Sequence, residues 1–327
     1  MNRREFLIGA GALGITHFTP RPALASLHEG MWFERSQPLM GSYVNVAVFG
    51  QDRARNSSVI DGCFEHIVGQ IAIISNWDQG SETCRLGRER ALEISKTSPQ
   101  LVEILKVASQ VYELTNGVFH PLMERLNTLW RIARDAGAIP DPVDLKYAQR
   151  DVERSFLSFN RSTVSIQGRE LLDLGAFGQG YIADCGVEFL RNAGVVFAKV
   201  DCSGDMRFLG ETSWEIDIEH PRNEGEMLGT IVVRGGKGVA TSGDYRSCWF
   251  VNGRRYHHLI DPRSGRPTAE TQSVTVIASS GVVADALATA ISFFPPKIGL
   301  NLMRRIAGVS GVIVGADGKP SSFLRDF

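Results

Sequence analysis

Two histidines, His257 and His258, stand where the segment Arg255-Tyr256-His257-His258-Leu259-Ile260 runs into the turn formers Asp261-Pro262 and Ser264-Gly265. Imidazole is the side chain best suited to proton transfer near neutral pH, so a strand end here carries a candidate general base into a loop. Neighbours on a strand point to opposite faces, so only one of the two can enter a site. The other reading of either ring is a histidine satisfied by backbone hydrogen bonds. Further on, Ala284-Asp285-Ala286-Leu287-Ala288-Thr289 places a carboxylate and a hydroxyl four residues apart, on one face of a helix. Upstream lies a third polar group of residues, Thr241-Ser242-Gly243-Asp244.

The elements that must hold these residues are legible in outline. Residues 42–49 alternate and are rich in Val, as a strand should be. Residues 59–74 and 101–114 have helical spacing, the second following Ser98-Pro99 as a helix start. Residues 136–145, with Gly137, Pro140 and Pro142, read as a loop, and 156–167 as a hairpin around Asn160-Arg161. Strands are expected at 170–174, 197–201, 214–219, 229–234, 247–251, 273–277 and 311–314, with few helices between them. That mix predicts an α+β fold of largely antiparallel sheets with flanking helices.

Residues 1–25 read as a leader. Arg3-Arg4-Glu5-Phe6-Leu7 is a twin-arginine pattern, followed by a Gly- and Ala-rich apolar stretch and the cleavage-site pattern Ala23-Leu24-Ala25. The apolar run is about half of the roughly 20 residues needed to span a bilayer, so export to the periplasm is expected, with no stable membrane anchor. Residues 26–327 are then read as one domain. The full chain has 35 basic and 36 acidic side chains; the leader holds three Arg and one Glu, which leaves a net charge of −3. Such a balance argues against a general nucleic-acid or anionic-membrane surface. The five cysteines form no C-x-x-C pair and are odd in number, which disfavours a metal–thiolate site and leaves at least one thiol free.

Gly178-Gln179-Gly180-Tyr181-Ile182-Ala183 is a G-x-G-x-x-A match, and Asp201 follows about 20 residues later, so a dinucleotide-binding unit and an NAD-dependent oxidoreductase form one reading. The expected strand ends at Leu174, however, and Gly175-Ala176-Phe177 intervene before the first glycine of the match. Asp201 also leads into a second turn, Cys202-Ser203-Gly204-Asp205, that a dinucleotide unit does not explain.

The same stretches together resemble the ApbE family, the FAD:protein FMN transferases. Asp173-Leu174-Gly175-Ala176-Phe177-Gly178-Gln179-Gly180-Tyr181-Ile182-Ala183-Asp184 is similar to the family's D-L-G-G-I-A-K-G-Y-A-V-D, and Ser203-Gly204-Asp205-Met206-Arg207 to its G-G-D-I-R. Met40-Gly41-Ser42 resembles the family's M-G-T start, and Asn116-Gly117-Val118-Phe119-His120-Pro121 its D-G-A-F-D-P. Trp77 and Ser81 to Leu86 are a looser echo of S-T-Y…S-E-x-x-R-L-N. The resemblance spans residues 38–314 and is most specific in the second half.

What the resemblance implies is transfer of FMN from FAD to a Thr or Ser hydroxyl of an acceptor protein, releasing AMP, with Mg²⁺ beside the pyrophosphate. It implies an ApbE-like, T-fold-related architecture and an acceptor in a membrane redox complex. By position, Gly178, Asp285 and Thr289 would hold the metal, and His258 would be the base, with His257 and Asp205 beside it. Met40, Trp77, Val118, Phe119, His120, Asp173, Gln179, Asp184, Ser203, Thr241 and His258 would line the nucleotide site. Asp205 either holds a ribityl or ribose hydroxyl or caps its own turn. The 241–244 group, read as a small loop, suits phosphate or metal-supporting contacts. Two positions depart from the pattern: Gln179 replaces a Lys near the phosphates, and His120 replaces an Asp. A non-catalytic FAD-binding accessory protein of the same fold is the alternative those departures suggest.

Overall fold

Strands whose side chains face two ways and helices that are apolar along one stripe both need a surface to bury against, and this chain supplies each with the other. A computed structural model describes residues 30–325, so the expected leader at 1–25 lies outside the described residues. The helices are α1 (Arg53–Ile74), α2 (Glu82–Glu89), α3 (Pro99–Leu114), α4 (Glu124–Asp135), α5 (Pro142–Glu153), α6 (Gly178–Asn192), α7 (Gly281–Ser292) and α8 (Pro296–Arg305). The first strands, β1 (Met31–Leu39) and β2 (Ser42–Gly50), form a hairpin, and β3 (Ala91–Glu93), β4 (Phe156–Phe159) and β5 (Thr163–Gln167) form a small sheet of their own. Then come β6 (Ala198–Cys202), β7 (Asp205–Leu209), β8 (Ser213–Glu219), β9 (Met227–Arg234) and β10 (Gly238–Gly243). Two short hairpins follow, β11 (Cys248–Val251) with β12 (Arg254–His257) and β13 (Ile260–Asp261) with β14 (Arg266–Pro267). The last strands are β15 (Thr271–Ala278), β16 (Ser310–Gly315) and β17 (Pro320–Phe323).

The main sheet has the order β1-β2-β6-β7-β10-β15-β16-β17, and every neighbouring pair is antiparallel. Strand alternation feeds two cores from it. Val44, Val46, Val200, Ala240, Val274 and Val276 face the helices, where they meet Ile60 and Ile67 of α1, Ile182 of α6 and Leu287 of α7. Phe208, Val239 and Ile277 face the other way, onto Trp214, Ile216, Ile231 and Val233 of the β8–β9 hairpin. A third cluster joins α4 and α5 to the short hairpins through Leu126, Trp130, Leu145 and Ile260, with Trp249 and Tyr256 packed against it. The α+β, mainly antiparallel expectation agrees with this architecture, and the hairpin at 156–167 is β4–β5.

Several expectations are corrected. No strand forms at 170–174; Leu172 makes one bridge to Leu122, and the backbone instead turns under its own carboxylates, Glu170 accepting from Leu171 N–H and Asp173 from Gly175 N–H. The expected loop at 136–145 ends early because Asp141 caps Val143 N–H and Pro142 takes the first position of α5, where its missing N–H costs nothing. Residues 241–243 belong to strand β10 rather than to a loop, in register with β15. All five cysteines are free thiols.

The glycine match at 178–183 is explained by packing. Strand β6, which follows α6, runs antiparallel to both of its neighbours, so there is no βαβ unit and the dinucleotide reading falls. Gly180 instead lets α6 cross α7 closely, since a Cβ there would stand 2.3 Å from the Gly281 carbonyl oxygen and 2.8 Å from Asp285 Cβ. Gly180→Ala should therefore cost ~1–3 kcal/mol of stability through overpacking. Gly69→Ala, in α1 with nothing within 4 Å of the added methyl, should be neutral or stabilising by up to ~1 kcal/mol. Thermal melts of the two variants check this, and equal shifts contradict the close crossing.

Candidate active site

The site is built at that crossing. Helix α7 opens with no cap of its own from Ser280, and the missing partner comes from α6: Asp184 accepts from Gly281 N–H at 2.7 Å and from Val282 N–H at 2.9 Å. Arg207 pairs with the same carboxylate at 3.2 Å. With α7 fixed in this way, Asp285 one turn on accepts from Gly180 N–H, in the first turn of α6, at 3.0 Å. Thr289, one turn further, donates to the Ala176 carbonyl at 3.1 Å and meets Ser242 Oγ of β10 at 3.1 Å. The i, i+4 spacing thus sets both oxygens along the segment 176–180, at whose centre Gly178 begins α6.

Asp205 closes the cluster from β7, accepting from Thr241 N–H at 3.2 Å, while Thr241 Oγ1 pairs with Thr275 Oγ1 directly across the strands at 2.9 Å. Two buried carboxylates therefore face one region. Burial pushes Asp285 up to about 7, against the pull of the Gly180 N–H and with Asp184 adding to the rise. Burial, then the negative charge of Asp285, pushes Asp205 well above the ordinary carboxylate range. Among the described residues no three His, Cys, Asp or Glu side chains converge as a preformed metal cage. Buried, mutually repelling carboxylates with hydroxyls and a helix-turn backbone fit an oxygen-preferring cation that takes its remaining ligands from water and phosphate, as Mg²⁺ does.

The two histidines differ in burial, and His258 falls outside the strand expected to carry both. His257 ends β12 and is buried; Nε2 lies 2.9 Å from the Thr268 carbonyl and Nδ1 accepts from Leu259 N–H at 3.3 Å. His258 stands at the bend just beyond, its backbone N–H donating to the Ser247 carbonyl at 3.2 Å. Protein crowds most of the ring's surroundings while part of its surface stays open to solvent; that crowding, then His257 beside it, pushes the imidazole down to about 4. The shift favours the neutral ring. Asp244, one residue past β10, is gripped by both Nη atoms of Arg222 at 2.7 Å, and its charge is felt by both histidines.

A second wall lies toward α4. Asn76 donates to the Leu172 carbonyl and accepts from Leu174 N–H, tying the loop after α1 to the segment that carries Asp173. Asp173 is held by Asn127 at 2.7 Å and by Gly175 N–H at 2.7 Å. Beside them Trp77 is 72% exposed, with the Arg131 guanidinium 4.6 Å from its ring centre. Met40 and Ser203 occupy the tips of adjacent two-residue hairpins, both at positive φ (54° and 61°), and Ser203 Oγ donates to the Tyr43 carbonyl. Gln179 is half-buried in the first turn of α6.

Four sequence candidates are placed otherwise than expected. Phe119 is in the core, edge-on to Phe177, because the chain needs an apolar plug between α3 and α6. Val118 packs on Leu259 and Phe293. His120 is buried against Tyr112, accepts from Leu122 N–H at 3.1 Å and is pushed down to about 4 by burial, so it is neutral and does not replace the positive charge absent at Gln179. Asp184 holds the start of α7. Asn76, Asn127, Arg131 and Arg222 were not singled out; only Asn76, adjoining Trp77, carried a local signal.

The fold as a whole, an antiparallel sheet of this order with helices over one face, is found in solved flavin transferases. The structure aligns with the flavinyl transferase ApbE of Pseudomonas stutzeri over 90% of this chain and 96% of that one, with a TM-score of 0.76 and 27% identity. It aligns with the flavin transferase ApbE of Vibrio cholerae over 90% and 97%, with a TM-score of 0.73 and 26% identity. A curated relative, the FAD:protein FMN transferase of Klebsiella pneumoniae, is 28% identical over 288 residues, 86% of this chain and 89% of its own length. The ApbE family model matches residues 40–313. This chain belongs to the ApbE family.

The two raised carboxylates make a prediction with a definite sign. A carboxylate whose folded pKa exceeds its unfolded value of about 4 keeps its proton longer when folded, so the metal-free fold loses stability as pH rises from about 4 to about 7 and stays lowered above it. Mg²⁺ needs the ionised pair, so the rise in Tm it produces should be small at pH 5 and large at pH 8. Asp285→Asn should raise the metal-free Tm at pH 8 and abolish the growth of the Mg²⁺ effect. Equal Mg²⁺ shifts at both pH values contradict the assignment.

Proposed function

We propose that this protein is an FAD:protein FMN transferase: it moves FMN from FAD onto a Ser or Thr hydroxyl of an acceptor protein through a phosphoester bond, releases AMP and depends on Mg²⁺. Flavin transfer rests on the family and on the named relatives that the chain matches over most of its length. The observation that supports the finer reading is the buried carboxylate–hydroxyl cluster of Asp285, Asp205 and Thr289.

In this reading the acceptor oxygen attacks the phosphorus bearing the riboflavin, the bond from that phosphorus to the bridging oxygen breaks, and AMP leaves with that oxygen. His258 takes the proton of the attacking hydroxyl; its lowered pKa keeps the ring unprotonated and ready at neutral pH, and the phosphates of bound FAD would raise it toward the working range. Asp285, Thr289 and the first turn of α6 would hold Mg²⁺, which supplies charge neutralisation at the pyrophosphate. The N-terminal end of α6 adds its own positive potential where the Lys of the family is replaced by Gln179. Asp205 keeps Thr241 and the edge of β10 in place beside the cluster. The twin-arginine reading of residues 1–25 supports a periplasmic setting, and the family resemblance implies an acceptor in a membrane redox complex.

The test is to incubate the protein with FAD, Mg²⁺ and an acceptor bearing a Ser/Thr-Gly-Ala-Thr type segment, and to follow covalent flavin fluorescence on the acceptor. His258→Ala should lower the rate by about 10²–10⁴-fold with FAD binding nearly intact. His257→Ala should lower the melting temperature instead, because it removes the bond to the Thr268 carbonyl. FAD binding without transfer to the natural acceptor would favour the accessory-protein reading, and equal kinetic losses in the two variants would leave the base unassigned. Restoring the missing charge with Gln179→Lys should tighten FAD by about tenfold, the scale of one charge-assisted contact; titration calorimetry measures this, and an unchanged Kd places Gln179 away from phosphate.

A further inference from the structure

Among the described residues the most exposed aromatic side chain, Trp77, sits on a loop held by several hydrogen bonds. Trp77 leaves 72% of its surface open, yet the loop that carries it is fixed on every side. Ser75 Oγ accepts from Trp77 N–H and Asp78 N–H, both at 3.1 Å; Asp78 accepts from Gly80 N–H at 2.8 Å; and Asn76 is stapled to the backbone at 172 and 174. Arg131 then lies over the indole at 4.6 Å. Its guanidinium is anchored, because Glu124 and Thr128, two turns and one turn earlier on α4, both bind its Nη2 at 2.5 Å, and Thr128 donates in turn to Glu124 at 3.1 Å. Asp173 and Asn127 adjoin this group, and the negative charge of Asp173 reaches Glu124.

We propose that Arg131 is a positioning residue for the flavin nucleotide: anchored by Glu124 and Thr128, it covers one face of Trp77 and sets the indole as a rigid shelf whose other face receives a planar ring of FAD. Two physical points support it. An exposed indole held immobile has no stabilising reason to be so at a protein surface, but a preformed shelf removes the ordering cost of stacking when a ring arrives. A guanidinium over an indole is also held by the ring quadrupole, so the contact persists without burial. Stacking platforms of this kind accept a heterocycle by its face, whatever its edge carries. The inference rests on the flavin-transferase reading and adds to it a residue outside the resembling motifs.

The experiment is a double-mutant cycle on FAD affinity in the full chain, read by flavin fluorescence and by the KM–kcat split in the acceptor assay. Arg131→Gln should raise the Kd for FAD roughly 3- to 10-fold, the loss falling on KM for FAD. Arg131→Lys, which keeps the charge without the planar stack, should fall between the two. In a Trp77→Ala background, Arg131→Gln should have no further effect, because the residue acts through the indole. Wild-type affinity in Arg131→Gln overturns the proposal, and so does an equal loss in both backgrounds, which would mean that Arg131 touches the ligand directly. Failure of the wild-type chain to bind FAD would remove the flavin reading and this one together, and the wild-type titration alone reveals it.

Discussion

Everything at this site depends on keeping two carboxylates, Asp285 and Asp205, out of water with no ion pair to either among the described residues. A buried charge costs several kcal/mol unless paired, and mutual repulsion adds to that cost. The fold tolerates it through a close helix crossing. Gly180 and Gly281 bring α6 against α7, Asp184 anchors the start of α7, and the Gly180 amide meets Asp285. Remove the small residues and the carboxylate loses its amide; remove the carboxylate and the crossing has no electrostatic purpose. The glycine spacing and the acidic position are thus one feature of the chain, even though about a hundred residues separate them.

Much of this was legible in the sequence. Asp285 and Thr289 share a helix face because 3.6-residue periodicity is local; the strand expected to carry both histidines ends at His257, and His258 lies in the bend beyond it. The α+β class followed from strand spacing. What was not legible needed partners distant in the chain. Residues 170–174 looked like a strand, but a run of apolar residues does not reveal that Glu170 and Asp173 will turn the backbone with their own carboxylates. Pro142 looked like a breaker and is a helix start, a distinction carried by Asp141 before it. Asp184 resembled a ligand residue, and only the arrival of α7 shows that it is a cap. Arg131 and Arg222 sit in segments with no recurring pattern, and their partners come from the loop after α1 and from the end of β10.

The departures from the family pattern read differently once placed. His120 is a buried, neutral, doubly satisfied ring, so the charge missing at Gln179 is not recovered there. What remains at the phosphate end is the N-terminal end of α6 and whatever cation the two carboxylates attract, which makes the metal more important here than in a chain that keeps the Lys. At the opposite wall the chain supplies an Arg-backed indole. In the proposed reading, nucleotide binding is divided between a cation-dependent end and a stacking end, with His258 as the base.

The most direct measurement of this account is the thermodynamic coupling between FAD and Mg²⁺, taken by titrating FAD calorimetrically with and without Mg²⁺, and Mg²⁺ with and without FAD. If the carboxylate pair holds a cation whose remaining ligands are phosphate oxygens, each should tighten the other by the same factor, and that factor should disappear in Asp285→Ala. Independent binding of the two, or coupling that survives loss of Asp285, would contradict it.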